Sequence, residues 1–248
     1  MLKAVRKGFR EAYDHLGYVV FASLAVSILT AIIFSLVALA ARFMGGAMNV
    51  IGLILVIIAA LVAYLGAVGV YYYVNKVVFR EYPVMVDTMV GIRLLLKPAL
   101  ALFGVDLLIM AVLAADVAFF LTMFGRSHNL VFAGLVVLMG YAGVVWLMLL
   151  MYQLPLLAAQ LSMESGTGVG VILRKSFLLT ADNPGFTVGL FLVIIAFAVL
   201  CAIPVIGIAA LFLGASAFLT THALRELFVR YGIVEEEPEV VEDGWPKK

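Results

Sequence analysis

Residues 183–224 read NPGFTVGLFLVIIAFAVLCAIPVIGIAALFLGASAFLTTHAL and contain no Asp, Glu, Lys or Arg. A helix rises 1.5 Å per residue, so about 20 apolar residues cross the roughly 30 Å hydrocarbon core of a bilayer. The stretch is about twice that length. Pro204 falls near its middle, and proline lacks an N–H and clashes with the preceding helical turn. Two helices are therefore expected, about 186–203 and 205–224. The alternative is one long kinked helix and one span fewer in all.

The rest of the chain has the same character. Hydrophobic residues make up 66% of its 248 positions and charged residues 12%, and the mean hydropathy is +1.20. Soluble domains carry roughly 45–50% and 25%, so this chain needs lipid as its solvent and a soluble enzyme is excluded. The net charge of +1 and the lack of a basic patch give no sign of nucleic acid as a partner. The single cysteine, Cys201, rules out an intramolecular disulfide and any cysteine-rich metal site.

Four further runs suit membrane helices: about 18–41, 50–74, 98–124 and 130–158. The first is too long for a signal-peptide core and is read as a retained helix. With six spans, Lys3, Arg6, Lys7, Arg10, Lys76, Arg80, Arg93, Lys97, Arg174, Lys175, Arg225, Arg230, Lys247 and Lys248 fall on one side. Only Arg42 and Arg126 fall on the other. Positive residues accumulate in cytoplasmic loops, so a multi-pass cell-membrane protein with both termini cytoplasmic is expected. Five spans would send Arg225 and Arg230 outside.

One line is written twice. VRKGFREAYDHLGY (5–18) and LRKSFLLTADNPGF (173–186) share an apolar residue, Arg-Lys, Phe, Asp, Gly and an aromatic at matching positions. Each copy precedes a membrane run. The pairs Arg6–Lys7 and Arg174–Lys175 suit lipid phosphates while their stems lie on apolar surface. Phe9 and Phe177 suit the interface. Asp14 and Asp182 suit a helix N-terminus, and Gly17 and Gly185 suit a bend. YPVMVDTMVGIRLLLK (82–97), with Arg93 and Lys97, holds the equivalent place before the third span without the same letters.

The expected fold is thus an all-α membrane protein of about six transmembrane helices. They form three hairpin units, about 1–80, 81–163 and 164–231, each preceded by a basic amphipathic cytoplasmic surface helix. Residues 232–248 are an acidic tail, disordered by composition, where Trp245 is a possible partner contact. Helix contacts are expected at small residues: Ala59, Ala63 and Ala67, Gly140 and Gly143, Ala210 and Gly214. Tyr71, Tyr72 and Tyr73 suit an interfacial aromatic belt.

YYYVNKVVFREYP (71–83), YQLPLLAAQ (152–160) and the line around Arg174–Phe177 resemble the YesL-like family of small integral membrane proteins. Tyr152, Pro155, Leu156 and Leu157 match its aromatic-x-x-Pro-Leu-Leu pattern, and Asp116 falls where members often place a polar residue. The acidic tail and Asp106 depart from it. The family has no established biochemical activity. Its genes often lie near carbohydrate-uptake genes, so the resemblance implies at most an accessory role in sugar uptake or sensing.

Asp106 and Asp116 are the sharpest candidates for function, because a charge at mid-bilayer costs at least about 2.5–3.5 kcal/mol. They lie about 15 Å apart along a helix and about 80° apart around it, too far to share a proton or a metal. They are either two separate stations or are neutralised by neighbours, with Gln153, Thr220, Thr221 and His222 as candidate partners. Pro155 and Pro204 are candidate kinks, and Pro155 frees the carbonyl of Met151 near Gln153. His222 is read as interfacial, with pH sensing as the alternative, and His15 and His128 have no partner spacing.

No catalytic elbow, zinc-protease helix, P-loop or dinucleotide fingerprint is present. GTGVGV (166–171) lacks the Walker Lys-Ser/Thr and follows no strand. No catalytic residue, metal or cofactor is expected. The partners expected are the bilayer and its anionic headgroups, with a membrane protein or a second copy of the chain possible. The leading expectation is a non-enzymatic accessory or scaffold, and the alternative is a small secondary transporter using Asp106 and Asp116.

Overall fold

A computed structural model describes residues 1–44, 48–79, 82–162, 168–204 and 206–235, with side chains defined except at 37–44, 48–51 and 161–162. Arg80, Gly166, Thr167, the side chain of Arg42 and the tail beyond Glu235, including Trp245, Lys247 and Lys248, lie outside the described residues.

The described chain is helical, without a strand. Its elements are α1 (Leu2–Asp14), α2 (Leu16–Met44), α3 (Met48–Val78), α4 (Asp87–Ser127), α5 (Leu130–Ser162), α6 (Val169–Asp182), α7 (Pro184–Ala202), a π-helical turn (Ile208–Phe212) and α8 (Leu213–Arg230). Six helices are long and apolar enough to cross a membrane: Leu16–Leu36, Gly52–Val78, Asp87–Ser127, Leu130–Gln160, Pro184–Ala202 and Ile208–Arg230. The long run from 183 does divide at Pro204, because α7 ends at Ala202 and the chain turns before the next helix. A single kinked helix there is excluded.

Three local expectations change. The segment 82–97 is not a separate surface helix. From Asp87 it is the first part of one 41-residue helix that runs through Pro98. No Gly or Asn interrupts residues 92–98, and neighbouring helices let a proline sit inside a membrane helix. The bends before α2 and α7 fall at His15 and Asn183, not at Gly17 and Gly185, which lie just inside the following helices. Asn183 is the residue before a proline, which is pushed out of the helical region. Asp14 and Asp182 accordingly end α1 and α6 rather than opening the helices that follow.

The helix α1 also rests on protein. Ala4, Gly8 and Ala12 are buried at four-residue spacing, a small-residue stripe that allows close helix approach. Its principal neighbour is α8; a Cβ added at Gly8 would stand 3.1 Å from the Leu219 backbone. Phe9 packs edge-on against Phe197, with centroids 5.5 Å apart, while Phe177 on α6 stays exposed.

α8 is the centre of the packing. Its lower turns hold Ala215, Ala217 and Phe218 in a cluster with Tyr18, Val19, Tyr71 and Tyr73. Its upper turns hold Ala223, Leu224, Leu227 and Phe228 in a second cluster with Leu95, Leu102, Tyr152 and Ile172. Tyr71 and Tyr73 are therefore buried and not part of a lipid-facing belt. Tyr71 Oη accepts from Thr220 Oγ1 at 3.1 Å, and Tyr73 stacks on Tyr18 at 3.5 Å. Buried tyrosines need a partner for the hydroxyl, and α8 supplies one.

The π turn explains two further contacts. A wider turn shifts the backbone ladder and leaves groups unmatched. Gly214 N–H donates to Ser23 Oγ at 2.9 Å, and Ala209 C=O accepts from Ser27 Oγ at 3.1 Å. Ser23 and Ser27 sit one helical turn apart on α2, so they face the π turn together. Gly214 must lack a side chain here, since a Cβ would lie 2.9 Å from Val19. Among the other small residues, Ala59 and Ala67 are buried. Ala63 and Ala210 are half-buried. Gly140 and Gly143 face open space, so the contact expected there on α5 is not made.

Candidate functional site

The buried residues of α4 are Asp87, Gly91, Leu95, Ala99, Leu102 and Asp106. Spacings of four and three keep them on one stripe of the helix. The stripe stops at Asp106, the twentieth of 41 residues. From 107 to 148, across the rest of α4 and most of α5, no residue is buried. Asp106 thus lies where the packed layer ends, about 28 Å along the axis from Asp87 by helical rise.

One polar residue meets it and a second lies one helical turn away, against Phe103. Gln153 comes from α5 and Tyr64 from α3. Asp106 is 6% exposed and Gln153 1%. The Gln153 side chain is the hydrogen-bonding neighbour of the Asp106 carboxyl, in a contact short of ordinary geometry, and the Tyr64 hydroxyl has no partner. Tyr64 is held by its ring, packed against Phe103 at 5.2 Å. A buried polar atom without a partner costs about 1–3 kcal/mol, so a loosely made Asp106–Gln153 contact beside a bare Tyr64 hydroxyl is an incomplete arrangement. Its chemistry is one carboxylate, one amide and one phenol, able to bind a cation or a hydrogen-bonding solute.

Of the candidate partners for Asp106, only Gln153 is beside it. Thr220 is bonded to Tyr71 and to the Ser216 carbonyl. Thr221 is buried without a hydrogen bond. His222 is 3% exposed, and its Nε2 lies 2.8 Å from Glu11 Oε2. It is therefore enclosed by protein. It is the buried contact that fastens α1 to α8, and Glu11, 211 positions away in the chain, is the partner that sequence reasoning missed. Asp116 is half-buried further along α4, away from the Asp106 cluster. Pro155 is buried, and α5 continues through it from Leu130 to Ser162.

The basic residues lie apart from this cluster. Lys76 Nζ donates to Asp87 Oδ1 at 3.1 Å, and Asp87 Oδ2 accepts from Val84 N–H at 2.8 Å. These bonds join the end of α3 to the start of α4. At the other junction, Arg230 donates to Asn183 Oδ1 at 2.9 Å and Asn183 Nδ2 donates to Tyr231 Oη at 2.7 Å. A groove of about 640 Å³ opens beside this network, lined by Leu156, Leu179 and Phe228 with Lys175, Asp182 and Tyr231.

Compared with known proteins, the chain matches no family model, no curated protein and no solved structure.

Proposed function

We propose that the protein is a non-enzymatic membrane carrier that holds a small ion or polar solute at Asp106, with Gln153 and Tyr64 as its neighbours. The carrying observation is a buried carboxylate that meets only the Gln153 side chain, beside a Tyr64 hydroxyl without a partner, where full burial along α4 ends. A purely structural carboxylate would be surrounded by well-aligned donors, because satisfying a buried polar group costs far less than leaving it poorly paired. Asp116, further along α4 and half-buried, is a second polar station toward the far end. The charge count supports both termini on the cytoplasmic side, with Arg6, Lys7, Arg93, Lys97, Arg174 and Lys175 near anionic headgroups. Three hairpin units, the second without a separate surface helix, are part of this reading, and a link to carbohydrate uptake rests on the resemblance to the YesL-like family alone.

Reconstituted vesicles test the reading. Solute or proton flux across them should fall at least about tenfold in Asp106→Asn, since an interaction with a charged group is worth about 1.5–3 kcal/mol. Flux equal in the two proteins would refute a coupling role for Asp106. An accessory or scaffold role is the second reading, favoured by the long exposed apolar faces of α4 and α5 between 107 and 148. It expects one membrane partner to be recovered by crosslinking at Leu108 or Val137 and no flux at all.

A further inference from the structure

Resting on the carrier reading above, we infer that Asp106, Gln153 and Tyr64 form a binding site for a monovalent alkali cation. Three features carry the assignment. The available donors are oxygens: two on Asp106, one on Gln153 and one on Tyr64, and hard oxygen ligands select alkali and alkaline-earth ions over transition metals. The charge then selects valence. Asp106 is the one acidic residue of the cluster and supplies a single negative charge when ionised. A monovalent ion gives a neutral site, whereas a divalent ion would leave a net positive charge in an apolar interior, which burial penalises heavily.

The third feature is completeness. A proton alone would occupy one Asp106 oxygen and leave Gln153 Oε1 and Tyr64 Oη as bare as before. A cation between the helices takes one Asp106 oxygen, Gln153 Oε1 and Tyr64 Oη. Gln153 Nε2 keeps its contact with the second Asp106 oxygen. Every polar atom of the three side chains is then engaged, and water or backbone carbonyls fill the rest of the shell. The site also joins α3, α4 and α5 where their packing ends, so filling it would stiffen that boundary.

The test uses the purified full-length chain in detergent, melted in choline chloride and in LiCl, NaCl or KCl at equal ionic strength. A ligand at a hundredfold excess over its Kd should raise the melting temperature by about 5 °C or more. At least one alkali ion should do so and choline should not. Asp106→Asn should erase the shift. Tyr64→Phe, which removes only a hydroxyl, should raise the half-maximal cation concentration about tenfold, as expected for a lost hydrogen-bond-scale contact. Melting of both variants in choline within about 2 °C of the parent establishes that they fold. Equal melting in choline and every alkali salt overturns the cation site, as does an undiminished shift in Asp106→Asn. So does a shift given by ethylammonium and by no alkali ion. Vesicle flux separates the two levels. Proton flux that needs Asp106 but no alkali ion overturns the cation and keeps the carrier. Alkali binding with no flux keeps the site and sinks the carrier.

Discussion

α8 and the far halves of α4 and α5 cross the same solvent and are built in opposite ways. α8 belongs to the least apolar of the six candidate spans, yet 13 of its 18 residues are buried. Between 107 and 148, α4 and α5 are strongly apolar and no residue is more than half-buried. In water the apolar helix would be the core. In lipid the tails are as apolar as leucine, so hydrophobicity does not drive helices together, and packing, small residues and hydrogen bonds do. α8 brings Gly214, Ala215, Ala217 and Ala223 for close approach, and Ser216, Thr220 and His222 for bonds. The far halves bring leucine, valine and phenylalanine, which lipid accepts as readily as protein would. Asp106, Gln153 and Tyr64 lie on the border between the two regimes.

Paired substitutions can break or sharpen this contrast. The largest effect should come from Phe218→Ala, which empties a fully buried position on α8 and should cost about 3–5 kcal/mol. Phe119→Ala, exposed on the far half of α4, should cost under about 0.5 kcal/mol. Denaturation midpoints in mixed detergent micelles would read both, and equal losses would end the distinction. Next, Gly91→Val drives a side chain into Tyr72, whose Cβ stands 2.5 Å from where a Cβ would be added. It should cost about 1–3 kcal/mol by overpacking, against almost nothing for Gly140→Val in open space. The same melts, with tyrosine fluorescence as a local report, would show it. The smallest effect should come from Ser23→Ala. It strips the Gly214 N–H of its acceptor and should cost about 1–2 kcal/mol. Ser35→Ala, whose exposed hydroxyl bonds only the Ile32 carbonyl, should leave stability unchanged. Faster amide exchange at the π turn in Ser23→Ala alone would locate the loss.

Much of the candidate site was visible in one dimension. Asp106 declared itself as a charge inside an apolar run, and Gln153 as an amide near a membrane proline. Tyr64 did not, because a lone tyrosine in a span is ordinary until its hydroxyl is known to lack a partner. Glu11 and Ser23 were hidden for a related reason. Each acts on α8, some two hundred positions away, and no helical period links residues across that distance. The triplet Tyr71–Tyr73 was legible as aromatic and near a helix end, but its burial depended on Thr220 and Tyr18 arriving from other helices.

By itself the sequence determined the solvent, the number of long apolar helices and the break at Pro204. These follow from length, hydropathy and backbone chemistry, which are local properties. Only the tertiary structure decided that the most polar of those helices would be the core, that α1 would fasten to it through Glu11 and His222, and that Asp106 would meet Gln153 and Tyr64. Lipid treats every apolar face alike, so which faces meet depends on small residues and hydrogen-bonding groups matched across distant segments, and that matching exists only once the helices are packed.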